Sequence, residues 1–332
     1  PLKGGLAQAN VLVSMMFAGV SGAAQADTAG TGKVLIPSMI RNGYDRETAV
    51  GVTAASSTIG VVIPPSIPMI IFAGIANASV GALFLGGIIP GILIGLGMMI
   101  FIYFISVKKG YPTFKRVPFK ALMKKFFVAF PALLTIVIII GGITTGIFTA
   151  TESAAIASIY ALLISMFYYR TLRLKDLPKI IFDTLSLSAL SLFALATASA
   201  LGELLSYYRL GTLAQEFFTE NIGAKWLFLL LIIVFFLLVG TFMDAIPAMI
   251  LFVPIVLPAA EAFSIDPVHL GIIVVLTLAI GLATPPYGLC LLIASKIGGL
   301  TVERSFAAVI PYLLIILVVL LLVAFVPAIV FI

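Results

Sequence analysis

The sequence predicts an all-α polytopic membrane protein, built from inverted repeats that each contain a re-entrant helical hairpin and a broken transmembrane helix. Three observations predict it. The 332 residues are 62% hydrophobic and only 10% charged, whereas soluble domains carry roughly 25% charged residues. Several apolar runs are too short or too long for one crossing of about 20 residues. The chain also repeats its glycine and proline landmarks at a fixed spacing.

Taken in order, the first repeat covers 1–107. Residues 3–40 read as two short apolar arms meeting at GVSGAAQADTAGTG, a tip of small residues that lets backbones approach closely. Residues 45–76 are too long for one straight crossing and carry Pro64-Pro65 in their middle. Residues 81–107 form an ordinary span. A basic loop follows at 108–125, with seven Lys/Arg and no acid. Residues 126–224 supply connecting scaffold helices. The second repeat, 225–332, has a hairpin at 225–260 with the tip GTFMDAIP, a broken helix at 265–296 and a helix at 302–332.

Shifting the chain by 221 positions lays Gly19 on Gly240, Pro37 on Pro258, Asp45 on Asp266, Gly60 on Gly281, Pro64-Pro65 on Pro285-Pro286 and Pro90 on Pro311. Five crossings separate the copies, so one is inverted relative to the other. Paired broken helices in inverted repeats place a binding site near the bilayer midplane. The loops at 108–125 and 170–179 are the most basic, which puts them in the cytoplasm, together with Lys3, Arg41, Arg46, Lys296 and Arg304. The net charge of +6 is then a property of these loops, and a nucleic-acid partner is not expected. The chain opens PLKGGLAQAN without an initiator Met. If the halves match, roughly 90–100 residues precede it in the complete fold.

Proline lacks an N–H, so each prolyl pair removes the donors of carbonyls four residues back. The expectation is that Gly281 and Leu282, and likewise Gly60 and Val61, are left with free oxygens. Thr284 adds a hydroxyl at one break, and Ser56, Ser57, Thr58 and Ser66 surround the other. Neutral oxygens suit a hard monovalent cation, and sodium fits. Acids at membrane depth are functional candidates. Asp27 and Asp244 at the hairpin tips lead, although Asp27 also reads as a cap for the second arm. Lys33 reads as a snorkelling side chain, a partner of Asp27 or an anion contact. Glu152, Asp183 and Glu203 are weaker. The lone Cys290 excludes a disulfide framework and a thiolate metal site.

FAGVSGAAQADTAGTGKVLIPSM, GYDRETAVGVTAASSTIGVVIPPS, FLGGIIPGIL and GLATPPYG carry a resemblance to the large membrane subunit of tripartite ATP-independent periplasmic (TRAP) transporters, extending through the whole chain. The resemblance implies a sodium-driven elevator in the bacterial inner membrane, not an enzyme. Its implied partners are a small four-helix membrane subunit, a periplasmic binding protein and a small organic anion, a C4-dicarboxylate, sialic acid or similar carboxylate. It implies one sodium among Gly240, Gly281, Thr284 and the backbone near Tyr287, and a second at Ser21, Ser57 and Gly60. Substrate or coupling candidates are Ser21, Asp27, Lys33, Ser66 and Asp244. The family's first tip reads SGSA; here Ala23 stands for the second serine.

The residues also admit two rival functions. A sodium/proton antiporter or channel on the same repeat is one. The other is an intramembrane serine protease, whose G-x-S-G pattern is matched by Gly19-Val20-Ser21-Gly22 and which needs His269 as its base.

Overall fold

The computed structural model describes residues 3–113 and 118–331; these form helices joined by turns and loops, with one isolated bridge between Lys3 and Thr113. Helices α1 (Gly5–Ser21) and α2 (Ala24–Arg41) are joined by Gly22 and Ala23 alone. Gly22 has φ +63°, and a Cβ there would lie 2.7 Å from the Pro65 carbonyl oxygen. Both the backbone conformation and the close approach therefore demand glycine.

Helix α3 (Arg46–Ser57) begins at Asp45, whose carboxylate accepts the Thr48 N–H at 3.0 Å. It tightens into a 3-10 turn over Thr58–Val61 and stops at the first prolyl pair; α4 (Ile67–Ala76) then restarts at Ser66, which accepts the Met69 N–H. The long α5 (Val80–Lys109) follows. Helix α6 (Phe119–Thr144) begins inside the expected basic loop, so Lys120, Lys124 and Lys125 are helical. Lysine is a good helix former, and Pro118 supplies the start. Lys115 and Arg116 of that loop lie outside the described residues.

Next come α7 (Ala150–Leu163), α8 (Leu177–Tyr207) and a shorter α9 (Leu210–Asn221) that the hydropathy pattern did not separate. Helices α10 (Lys225–Phe242) and α11 (Ala245–Ala262) meet at Met243 and Asp244. Then α12 (Pro267–Gly281) runs to the second prolyl pair and α13 (Leu289–Gly298) leaves it. Finally α14 (Val302–Phe325) ends before Pro327, short of the expected 332. Six helical stretches among the described residues are long and apolar enough to cross a membrane.

The two helices leading into the breaks form the centre. Every residue of α3 from Thr48 to Ser57 and of α12 from His269 to Gly281 is buried. Helix α3 packs on α1, α2, α13 and α14, and α12 packs on α10, α11 and α14. At Gly51, a Cβ would sit 2.7 Å from the Ala308 carbonyl oxygen, so α3 and α14 touch backbone to backbone. By contrast, α8 and α9 expose Leu185, Leu192, Phe193, Leu204, Leu213 and Phe217.

At one end of the molecule, Lys109 on α5 pairs with Asp45 at 3.0 Å, and Tyr111 donates to the Thr48 hydroxyl at 2.8 Å. Burial works to raise Asp45's carboxyl. The Thr48 hydroxyl, Lys109 and the Thr48 N–H together outweigh it and hold the group below its ordinary 3.8. Asp45→Ala should cost about 1 kcal/mol, the scale of a lost helix cap. Because the folded value is depressed, that difference is complete above about pH 3.8 and vanishes as pH falls through the lower folded value. Thermal melts of both proteins across acid pH check the sign; a gap that widens on acidification contradicts it.

Candidate functional site

Both hairpin tips are tied to the prolyl breaks through backbone groups. Ile67, two residues beyond Pro65, donates its N–H to the Gly22 carbonyl at 3.3 Å. Tyr287, one residue beyond Pro286, donates to the Thr241 carbonyl at 2.9 Å. The tip and break of the second half are closer still: a Cβ on Gly281 would lie 2.5 Å from the Gly240 carbonyl oxygen. Both prolyl pairs are joined by cis peptide bonds.

The expectation of four free carbonyls needs correction. Thr284 N–H reaches Gly281 at 3.0 Å, and Cys290 N–H reaches Leu282 at 2.9 Å. The Ser66 hydroxyl donates to Val61 at 2.6 Å. Only Gly60 fits the expectation: the N–H groups of Val62 and Ile63 both turn to Ile59. In an apolar surrounding an unpaired carbonyl costs several kcal/mol, so the chain folds back to supply substitutes. Thr284 and Ser57 keep their lone pairs accessible, since their hydroxyl protons go to the Ile280 and Thr53 carbonyls, each at 2.8 Å.

The two halves meet at Asp244. Its Oδ2 accepts from Gln25 Nε2 at 3.0 Å and from the Tyr287 hydroxyl at 3.2 Å, while Oδ1 caps α11 through the Ile246 N–H. A residue just past the first tip, the second tip and the second break therefore converge on one half-buried carboxylate. Ser21 stands at the end of α1, partly exposed, with only 3.5 Å contacts to Ala23.

Asp27 does not cap α2; it lies one turn into that helix, which starts after Ala23 without a side-chain cap. Its side chain has no solvent exposure, and neither carboxylate oxygen completes a hydrogen bond. The hydroxyls of Ser14, Thr31 and Ser57 lie alongside. Those of Thr31 and Ser57 direct their protons to the carbonyls of Asp27 and Thr53, and so turn lone pairs toward the acid. One turn before Ser14 on α1, Asn10 donates to Thr53 Oγ1 at 2.7 Å, which leaves its own Oδ1 unpartnered. Asn10 and Ser14 escaped the sequence reading. Their signal was present: with Gln8 they are polar residues spaced through a largely apolar arm, Asn10 and Ser14 one turn apart.

The remaining candidates separate from the site. Lys33 is exposed on α2 and is not the partner of Asp27. Glu152 closes a capping box with Thr149 at the start of α7, and Asp183 and Glu203 are exposed on α8. His269 is buried in the first turn of α12, about 18 Å of helix from Gly281, with Nε2 at 2.8 Å from the Val323 carbonyl. It is placed as a packing residue, not as a base for Ser21.

Tied hairpins, interrupted helices and a buried polar centre within apolar spans define a membrane permease. The chain matches the family of the DctM component of the tripartite ATP-independent periplasmic transporter over residues 1–329, and it belongs to that family. It is 37% identical over 327 residues to the C4-dicarboxylate TRAP transporter large permease protein DctM of Pseudomonas aeruginosa, covering 98% of this chain and 77% of that one. It is 38% identical over 326 residues to the sialic acid TRAP transporter large permease protein SiaM of Vibrio cholerae, with 98% and 76% covered. The isethionate TRAP transporter permease protein DctMQ of Oleidesulfovibrio alaskensis is 37% identical over 329 residues, which are 99% of this chain and 52% of that one. The chain is thus a large permease subunit of the inner membrane, a transport protein and not an enzyme.

Gly281→Ala tests the contact between tip and break. A methyl pressed to 2.5 Å from the Gly240 oxygen should lower stability by roughly 1–3 kcal/mol, the usual cost of overpacking. Gly141→Ala on α6, with nothing within 4 Å, should be neutral or slightly stabilising. Equal melting temperatures for the two variants would remove the contact.

Proposed function

We propose that the protein imports a small organic anion by sodium coupling, with two inverted repeats carrying the substrate in an elevator-like movement. The observation that carries this reading is the Asp244 junction, where Gln25, Tyr287 and the second hairpin tip meet between two backbone-tied breaks. Anything bound there touches both halves at once. On this reading α1–α2 and α10–α11 are re-entrant hairpins, and the first repeat is 1–107 and the second 225–332. The exposed α6 to α9 region within 126–224 is the scaffold.

The P. aeruginosa, V. cholerae and O. alaskensis relatives are named for a C4-dicarboxylate, sialic acid and isethionate. All three substrates are small and anionic, which sets the substrate class proposed here. No Lys or Arg stands in either tip segment, 19–32 or 240–247. The N-termini of α2 and α11 begin at these tips and would supply the positive ends for the anion, with Ser21, Ser66 and Asp244 bounding it. Delivery by a periplasmic binding protein and docking of a small membrane subunit follow from the tripartite family.

Sodium fits the residues present. Asp27 has no cationic side chain beside it, since the ion pair of the described residues is Lys109–Asp45. A buried, unpaired carboxylate is costly, and a bound cation offsets that cost. Asp27 and the lone pairs of Ser14, Thr31 and Ser57 would hold one ion, a turn deeper than the Gly60 carbonyl and Ser21 at the same break. Gly240, Gly281, Thr284 and the Tyr287 backbone would hold another. When bound, sodium supplies the charge that lets each tip close on its break.

Proteoliposomes containing the permease and its partner subunits, given a C4-dicarboxylate, sialic acid or isethionate in turn, should accumulate one of them only with an inward sodium gradient. Equal uptake without the gradient would end the coupling proposal. Asp27→Asn and Thr284→Val should each raise the sodium concentration for half-maximal thermal stabilisation by roughly tenfold, the scale of one lost polar contact. This binding readout is independent of transport. A variant with unchanged sodium dependence loses its place as a ligand.

A further inference from the structure

Where the C-terminal end of α2, the start of α3 and the end of α13 come together, a cleft of about 280 Å³ is lined by Arg41, Arg46 and Lys296. Pro37, Ile40 and Ile297 complete its walls. No carboxylate lines it; the neighbouring Glu47 lines the separate groove of Lys109 and Tyr312. Arg46 is aimed by one nitrogen, Nη1, which donates to the Gly298 carbonyl at 3.3 Å. Gly299 makes this possible: a Cβ there would lie 3.0 Å from the same nitrogen. The rest of the guanidinium fork is left for another acceptor, and arginine forks match phosphate oxygens two at a time.

The opposite copy of the repeat does not carry these cations. At positions 221 away, where the sequence repeats itself, stand Ala262, Pro267 and Ile75. An apolar face adjoins the charges. Val34, one turn before Pro37 on α2, is 66% exposed, and Leu292, one turn before Lys296 on α13, is 37% exposed. Free anions have no use for such a face, whereas a lipid has both an anionic phosphate and an acyl chain. Basic pockets on the cytoplasmic side recognise lipid head groups in this way.

We propose that this cleft is a binding site for an anionic phospholipid of the cytoplasmic leaflet. Arg41, Arg46 and Lys296 grip the phosphodiester, and a chain lies along Val34 and Leu292. The site lies at the same end as the Lys109–Asp45 pair, and the lipid would hold α2, α3 and α13 together at the membrane surface.

The test is native mass spectrometry of the full permease in phosphatidylcholine nanodiscs containing a minor fraction of phosphatidylglycerol, counting retained lipids. The Arg41→Gln/Arg46→Gln/Lys296→Gln triple variant should bind phosphatidylglycerol about a hundredfold more weakly, roughly fivefold for each charge removed. A matched triple, Lys120→Gln/Lys124→Gln/Lys125→Gln, removes three exposed cations of α6 and should retain the lipid. The milder Arg41→Gln/Lys296→Gln variant leaves Arg46 on Gly298 and should weaken binding about 25-fold, which keeps the test informative if the triple misfolds. Equal losses in both triples would reduce the effect to diffuse surface charge and overturn the site. Displacement of the lipid by millimolar glycerol phosphate would identify a site for free anions and likewise overturn it, as would an unaltered double variant.

Discussion

The structure depends on how a chain in hydrocarbon replaces the hydrogen bonds that proline removes. Two adjacent prolines delete two donors from the middle of a buried helix, and no water is present to compensate. The replacements come from other parts of the chain: Cys290 for Leu282, Ser66 for Val61, Thr284 for Gly281. Each interrupted helix then offers one N–H, within two residues of the prolines, to a hairpin tip. Break and tip are therefore one unit, and Gly22 and Gly281 are the places where no side chain would fit between them.

Burial follows from this arrangement. Helices α3 and α12 lead directly into the breaks and are enclosed on all sides, whereas α8 and α9 leave large apolar side chains outside. Enclosure explains how polar groups survive at the centre. Asn10, Ser14, Thr53 and Ser56 satisfy one another across α1 and α3. Among the buried atoms left without a partner, Asp27 stands apart as the one acid, with both carboxylate oxygens unpaired, and an orphaned buried acid is the sort of group that a cation would complete.

Much of this was legible in the residues. Hairpin arms and interrupted helices could be placed because prolines and glycines break helices locally, whatever surrounds them. The tips were legible for the same reason, and Asp244 and Tyr287 fall together in the fold as neighbouring candidates. The fate of the carbonyls was not legible, since Cys290 and Ser66 supply their donors only once the chain has turned back. Asp27 was misread in part as a cap because the turn ends at Ala23, one residue after glycine, and not at the acid. Helix α9 was hidden because its short amphipathic pattern follows the longer α8 after only two intervening residues.

Cys290 has no solvent exposure and is the sole cysteine. It sits in α13 against α2, near Thr28. To a water-borne maleimide the folded chain is therefore silent, as though it had no thiol at all. Reporter cysteines can be introduced at either hairpin tip without first deleting the native one, and reactivity at Cys290 itself would signal that the first hairpin had parted from the second interrupted helix.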